Sequence, residues 1–131
     1  MDTKSRHVLA EYWGCDREIL DNEEMLEDAL MAAAAKANAT VVETVLHRYK
    51  PEGVSGVLVI EESHFSIHTW PEEGYAACDF FTCGDCLPEK AGEVMKFALG
   101  ADSSETLVLA RGEPVFPRIR IVQHTAAEIR R

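Results

Sequence analysis

Between residues 40 and 83 the chain passes through four β-type segments, and no two are far enough apart to hold a helix between them. TVVETVLHRY (40–49) is rich in β-branched residues, VSGVLVI (54–60) is an apolar run, HFSIHTW (64–70) alternates, and YAACDFFTC (75–83) is apolar and aromatic. Pro51-Glu52-Gly53 makes the first connection, and Pro71 to Gly74 makes the last. Links this short permit only antiparallel hairpins, because a parallel pair needs a crossover of a dozen residues or more.

The flanking sequence adds to this unit. HVLAEYWG (7–14) reads as an earlier strand with Val8, Ala10 and Tyr12 on one face. Asp21 or Asn22 can cap a helix, and Asp21-x-x-Glu24 resembles a capping box with Asp in the first position. That helix carries Leu26, Leu30, Ala33 and Ala37 on one stripe. Pro88 suits the first turn of a second helix, with Ala91, Val94, Met95 and Ala98 facing one way and Gly100 ending it. TLVLA (106–110) and RIRIV (118–122) supply two more strands, and TAAEIRR is expected to be an exposed or frayed tail.

The order β-α-β-β-β-β-α-β-β predicts an α/β (α+β) fold. It is a two-layer sandwich, a mainly antiparallel sheet with two helices packed on one face. The 131 residues suit one domain. The face without helices stays partly apolar, which favours dimerisation.

Charge narrows the partners. Asp and Glu number 23 against 13 Lys and Arg, a net −10, and no basic cluster is present, so nucleic-acid binding is not expected. A cationic or zwitterionic small substrate fits an acidic surface better. MDTKSRHVLAEYW has no secretory h-region and no apolar run approaches membrane-spanning length, so a cytoplasmic protein with no membrane contact is expected. Thiols stay reduced there, and Cys15, Cys78, Cys83 and Cys86 are read as core residues, ligands or catalytic thiols.

The densest chemistry lies in EESHFSIHTW (61–70), where two carboxylates, two serine hydroxyls and two imidazoles meet at a strand end. Three readings compete. Cys78-x4-Cys83-x2-Cys86 resembles part of an iron–sulfur run. However, Cys15 lies upstream, Cys78 points opposite to Cys83 by strand parity, and the intervening chain is strand; no metal is expected. Ser63 with His64 or His68 and a carboxylate suggests a hydrolytic triad, but no Gly-x-Ser-x-Gly elbow is present. Thirdly, the Ser63 hydroxyl can attack the carbonyl of Glu62 in its own chain, with a histidine as proton acceptor. Residue types alone do not select among these.

ESHFSIHTWPEEGYAACDFFTCG resembles the signature of the short prokaryotic S-adenosylmethionine decarboxylase proenzymes, a pyruvoyl-dependent, self-cleaving family. The likeness extends to CDREILDN and HRYKPEGVSGVLVIEESH and covers about residues 5 to 86. It implies cleavage between Glu62 and Ser63 into a β chain (1–62) and an α chain (63–131), with Ser63 becoming a covalent pyruvoyl group that forms a Schiff base with the substrate amine. It further implies His68 as processing base, Ser55 as its assistant and Cys83 as catalytic proton donor. Tyr49, Trp70 and Glu72 match nucleoside-binding positions, Tyr49 standing where the family more often carries Phe. By resemblance the substrate is S-adenosylmethionine, the product feeds spermidine synthesis, and the enzyme is a homodimer of processed αβ protomers. Arginine or ornithine is the alternative substrate, as in relatives on this scaffold. A geometric condition accompanies these roles. Five residues of extended chain span roughly 16–18 Å, so Ser63 and His68 meet only if the strand folds back or a second protomer completes the site.

Overall fold

The computed structural model describes residues 3–115 and 117–128. Its strands are β1 (Ser5–Trp13), β2 (Val41–Arg48), β3 (Val54–Ile60), β4 (Ser63–Trp70), β5 (Tyr75–Cys83), β6 (Ser103–Arg111) and β7 (Arg120–Glu128). They form one seven-stranded sheet in the order β2-β3-β4-β5-β1-β6-β7. Every neighbouring pair is antiparallel. The helices are α1 (Arg17–Leu20), α2 (Glu23–Lys36) and α3 (Pro88–Ala98).

The two long helices lie on one face, as the amphipathic stripes require. Leu26, Leu30, Ala33 and Ala37 are buried, as are Ala91 and Met95, and they meet Val8, Tyr12, Leu58, Phe65, Ile67 and Phe80 from the sheet. Gly56 has a packing reason: a Cβ there would lie 2.9 Å from Leu46 Cγ, which leans over the strand from β2. Tyr12 ties the layers together by donating to Gly92 O of α3 at 2.7 Å.

The structure refines three local readings. The loop before α2 contains a single-turn helix, α1, capped by Asp16, whose carboxylate accepts from Glu18 and Ile19 N–H. Asn22 caps α2 by accepting from Met25 N–H at 2.9 Å. Asp21 instead accepts from Arg48 and Gly53, and the Arg48 guanidinium holds its carboxyl below the usual range. The tail, read as exposed or frayed, is exposed but ordered as strand as far as Glu128, paired with β6 from Ser103↔Glu128 onward. It is mostly exposed because neither helix reaches it, so its apolar pattern is too weak to mark a strand. Residues 129–131 of that segment lie outside the described residues. No helix among the described residues is long and apolar enough to cross a membrane.

Candidate active site

The β3–β4 hairpin closes on two residues, Glu61 and Glu62, between the paired Ile60 and Ser63. Such turns require left-handed backbone that glycine or asparagine normally supplies. Here Glu62 adopts it, at φ 70°, a conformation costing a non-glycine residue about 1–2 kcal/mol. The Ser63 hydroxyl donates to the Glu62 carbonyl oxygen, so nucleophile and target bond are already in contact. Cys83, at the end of β5, brings its Sγ to 3.5 Å from Ser63 Oγ and 3.6 Å from the same carbonyl oxygen. A thiol donor on that oxygen sits where negative charge would develop if the hydroxyl attacked.

A second group gathers at the other end of β4, around a cavity of about 330 Å³ lined by Tyr49, Ser55, His68, Trp70 and Glu72 among others. Ser55 Oγ lies 2.9 Å from His68 Nδ1 across the β3–β4 pair. Trp70 stacks on Tyr75 (centroids 5.2 Å) and Tyr75 on Trp13 (4.3 Å), making a three-ring wall. Trp70 remains 42% exposed, so part of its ring is open to the cavity it lines. The Tyr75 hydroxyl is pushed up to about 12, first by burial and then by its bond to Glu11. Beneath the cavity, Thr69 Oγ1 donates to Leu20 O at 2.7 Å and accepts from Val54 N–H at 2.9 Å, anchoring the strand.

The expected site residues therefore fall into two groups. Strand β4 is paired with β5 from His64↔Phe81 to Trp70↔Tyr75 without a break, so it does not fold back. Ser63 and His68 stand five residues apart on it, about 16 Å at a strand's rise.

A third cluster was missed in the sequence, on the same helix-free face. Asp79 Oδ2 lies 2.5 Å from His7 Nε2 and 3.2 Å from His64 Nε2, and Oδ1 accepts from Ser66. Arg111 reaches His7 Nδ1 at 3.1 Å and lies over the Phe81 ring, 4.9 Å from its centroid. Arginine only donates, so His7 Nδ1 accepts and its proton sits on Nε2, directed at Asp79. Burial alone raises the Asp79 carboxyl, but the bonds from His7 and Ser66 and the neighbouring His64 outweigh it, bringing the group to about 2. His7, His64 and Asp79 offer three ligand atoms within 4.8 Å of one another, a spacing that suits a cation. Yet a His7 bound to metal through Nε2 carries its proton on Nδ1, which faces the Arg111 donor. The donor set is thus arranged for hydrogen bonding. No short-range pattern announces the cluster, since its members come from β1, β4, β5 and β6; period-two alternation gives only the face of each.

Comparison with known proteins first fixes the class. The Trypanosoma brucei AdoMetDC-delta26 monomer superposes with a TM-score of 0.60 at 16% identity, covering 79% of this chain and 45% of that one, a likeness of fold. The two chains thus share a two-layer sandwich of helices on an antiparallel sheet. A profile described as S-adenosylmethionine decarboxylase matches residues 6–112. The S-adenosylmethionine decarboxylase proenzyme of Shouchella clausii (strain KSM-K16) is 46% identical over 130 residues, 98% of this chain and 100% of that protein. The proenzyme of Thermotoga maritima is 50% identical over 113 residues, 86% and 87% of the two chains. The adenosylmethionine decarboxylase of Aquifex aeolicus VF5 superposes with a TM-score of 0.74 at 34% identity, over 86% of this chain and 94% of that one. The chain belongs to the S-adenosylmethionine decarboxylase family. The relationship reaches well beyond residue 86, where the recognisable motifs stop.

Proposed function

We propose that this chain is a proenzyme that breaks its own Glu62–Ser63 bond and then decarboxylates S-adenosylmethionine. The observation that carries the reading is the Ser63 hydroxyl held against the Glu62 carbonyl, with Cys83 on the same oxygen. Ser63 Oγ attacks the Glu62 carbonyl carbon and gives its proton to a base, while Cys83 meets the charge growing on oxygen. The C–N bond breaks and an ester replaces the peptide. Loss of the Ser63 α-proton then expels the Glu62 carboxylate, releasing residues 1–62 as the β chain. The dehydroalanine left on the α chain hydrolyses to a pyruvoyl group with loss of ammonia. When formed, that group supplies the electron sink for loss of CO2.

The chain's own residues do the rest. Tyr49 and Trp70 offer exposed aromatic faces to an adenine, and Glu72 offers a carboxylate to ribose hydroxyls. Cys83 returns a proton to the substrate's α-carbon, and its fixed position matters as much as its acidity. Arginine and ornithine have no ring to set against Trp70 and Tyr49, and the matched relatives carry the S-adenosylmethionine name.

The two-group layout supports a homodimer. The helix-free face exposes Leu9, Val45, Val57 and Val59 beside the polar clusters. Two such faces laid together bring the His68 end of one protomer to the Ser63 end of the other, so that His68 of the partner subunit serves as the processing base. All four cysteines are free, which fits a cytoplasmic enzyme.

Intact-mass measurement followed by CO2 release from S-adenosylmethionine, arginine and ornithine tests this. Two fragments and release from S-adenosylmethionine are expected. A single 14.6 kDa chain sinks self-processing, and release only from an amino acid lacking the nucleoside sinks the substrate.

A further inference from the structure

Cysteine usage divides sharply in two. Cys15 and Cys78 are buried at 8% and 5% exposure. Burial pushes the Cys15 thiol up to about 12 and the Cys78 thiol well above its ordinary value, so both are inert. Cys83 and Cys86 are half-buried and free. They flank the two-residue turn Gly84-Asp85, which joins β5 to the start of α3. Residues flanking such a turn lie within about 7 Å at Cα, matching the roughly 4.4–6.8 Å that a disulfide spans.

Three local features favour closure. Gly84 takes φ +67°, and a Cβ built there meets nothing within 4 Å, so the turn has room to adjust. Among the described residues Cys86 Sγ is held by a 3.5 Å contact to Asn38 O, a weak bond that is easily given up. Its thiol is raised first by burial and then by the charges of Cys83, Asp85 and Glu62, which suits it to the second, resolving step rather than the first attack.

We propose that Cys83 and Cys86 form a redox pair, which a low-molecular-weight disulfide converts into an intramolecular disulfide that switches the enzyme off reversibly. The Cys83 thiolate attacks one sulfur of the reagent RSSR and one RS⁻ leaves. Cys86 then loses its proton to solvent and attacks the Cys83 sulfur of the mixed disulfide, expelling the second RS⁻. The two protein thiols are oxidised by two electrons, and one RSSR is reduced to two RSH; excess RSH reverses both steps. Closure removes the S–H that faces Ser63 and Glu62. The loss of activity rests on the reading of Cys83 as proton donor, whereas bond formation does not.

The experiment uses the processed enzyme, incubated with mixtures of reduced and oxidised glutathione, then alkylated and weighed, with CO2 release measured in parallel. Expected is a species lighter by two hydrogens, protected from alkylation at both residues. Turnover should fall with it by roughly 100-fold, the effect of losing a general acid, and return with dithiothreitol. Cys86→Ser should turn over normally under reductant and accumulate only the glutathione adduct on Cys83. Full alkylation of both thiols after oxidant, or a persistent glutathione adduct on the unmodified enzyme, overturns the pair and leaves the donor reading standing. A closed disulfide with unchanged turnover overturns both the switch and the donor assignment.

Discussion

The face of the sheet beneath α2 and α3 carries Val8, Tyr12, Leu58, Phe65, Ile67 and Phe80, all buried. The opposite face of the same strands carries His7, Ser55, His64, Ser66, His68, Asp79 and Cys83, interleaved with exposed valines and aromatic rings. The first face stabilises by excluding water and needs only shape and volume. On the second, each polar group is placed by a specific partner: Asp79 for three side chains, Ser55 for His68, Cys83 for Ser63. One strand therefore serves stability on its odd residues and chemistry on its even ones, as β4 shows with Phe65, Ile67 and Thr69 against His64, Ser66 and His68. Ser63, at the strand's start, is brought to the chemistry by the left-handed corner at Glu62.

Breaking the reactive face has the largest expected effect. Ser63→Ala removes the nucleophile, so mass spectrometry should find one uncut chain with no CO2 release. Co-expression with His68→Ala sharpens the two-group layout. Each variant alone should stay uncut, whereas in mixed dimers the His68→Ala chains, which keep Ser63, should be cut with help from the partner. Absence of cleavage in verified mixed dimers would rule out a shared site.

On the covered face, Phe80→Ala should cost about 3–5 kcal/mol in denaturant unfolding. Val59→Thr on the open face should change the stability of the protomer by no more than about 0.5 kcal/mol. Equal losses would dissolve the contrast between the faces. Acid should expose the Asp79 cluster. The folded carboxyl at about 2 lies below its unfolded value, about 3.9. Its contribution, on the order of 2 kcal/mol, is therefore complete above that value and lost as pH falls toward 2. Asp79→Asn should flatten this stretch of the stability–pH curve. Trp70→Ala should weaken substrate binding by about 1–3 kcal/mol, the worth of one stacked base, read as a raised KM with processing unchanged. Tyr49→Phe, which keeps the ring, should move KM least.

Much of this was legible in the chain. Short turns between β-type segments dictate hairpins, and alternation in HFSIHTW and in HVLAEYW assigns each residue to a face, including the opposition of Cys78 and Cys83. The one-turn helix α1 escaped because four residues carry no periodicity. Strand β7 is legible only at its start, as RIRIV (118–122); its continuation to Glu128 escaped because, mostly exposed, it has no apolar alternation to read. The family was legible from a contiguous block, since motif residues near in sequence keep their spacing.

Sequence by itself determined the succession of strands and helices along the chain, the two faces of the strands it marked and the residue types at the Glu62–Ser63 corner, because these follow from local propensity and a side-chain period of two. Only the tertiary structure decided which of those residues meet. It set Cys83 on the Glu62 carbonyl and parted Ser63 from His68 along a straight strand. It also drew His7, Asp79 and Arg111 together from β1, β5 and β6. The register between strands is fixed by the packing of the whole covered face, and no local stretch of sequence contains that information.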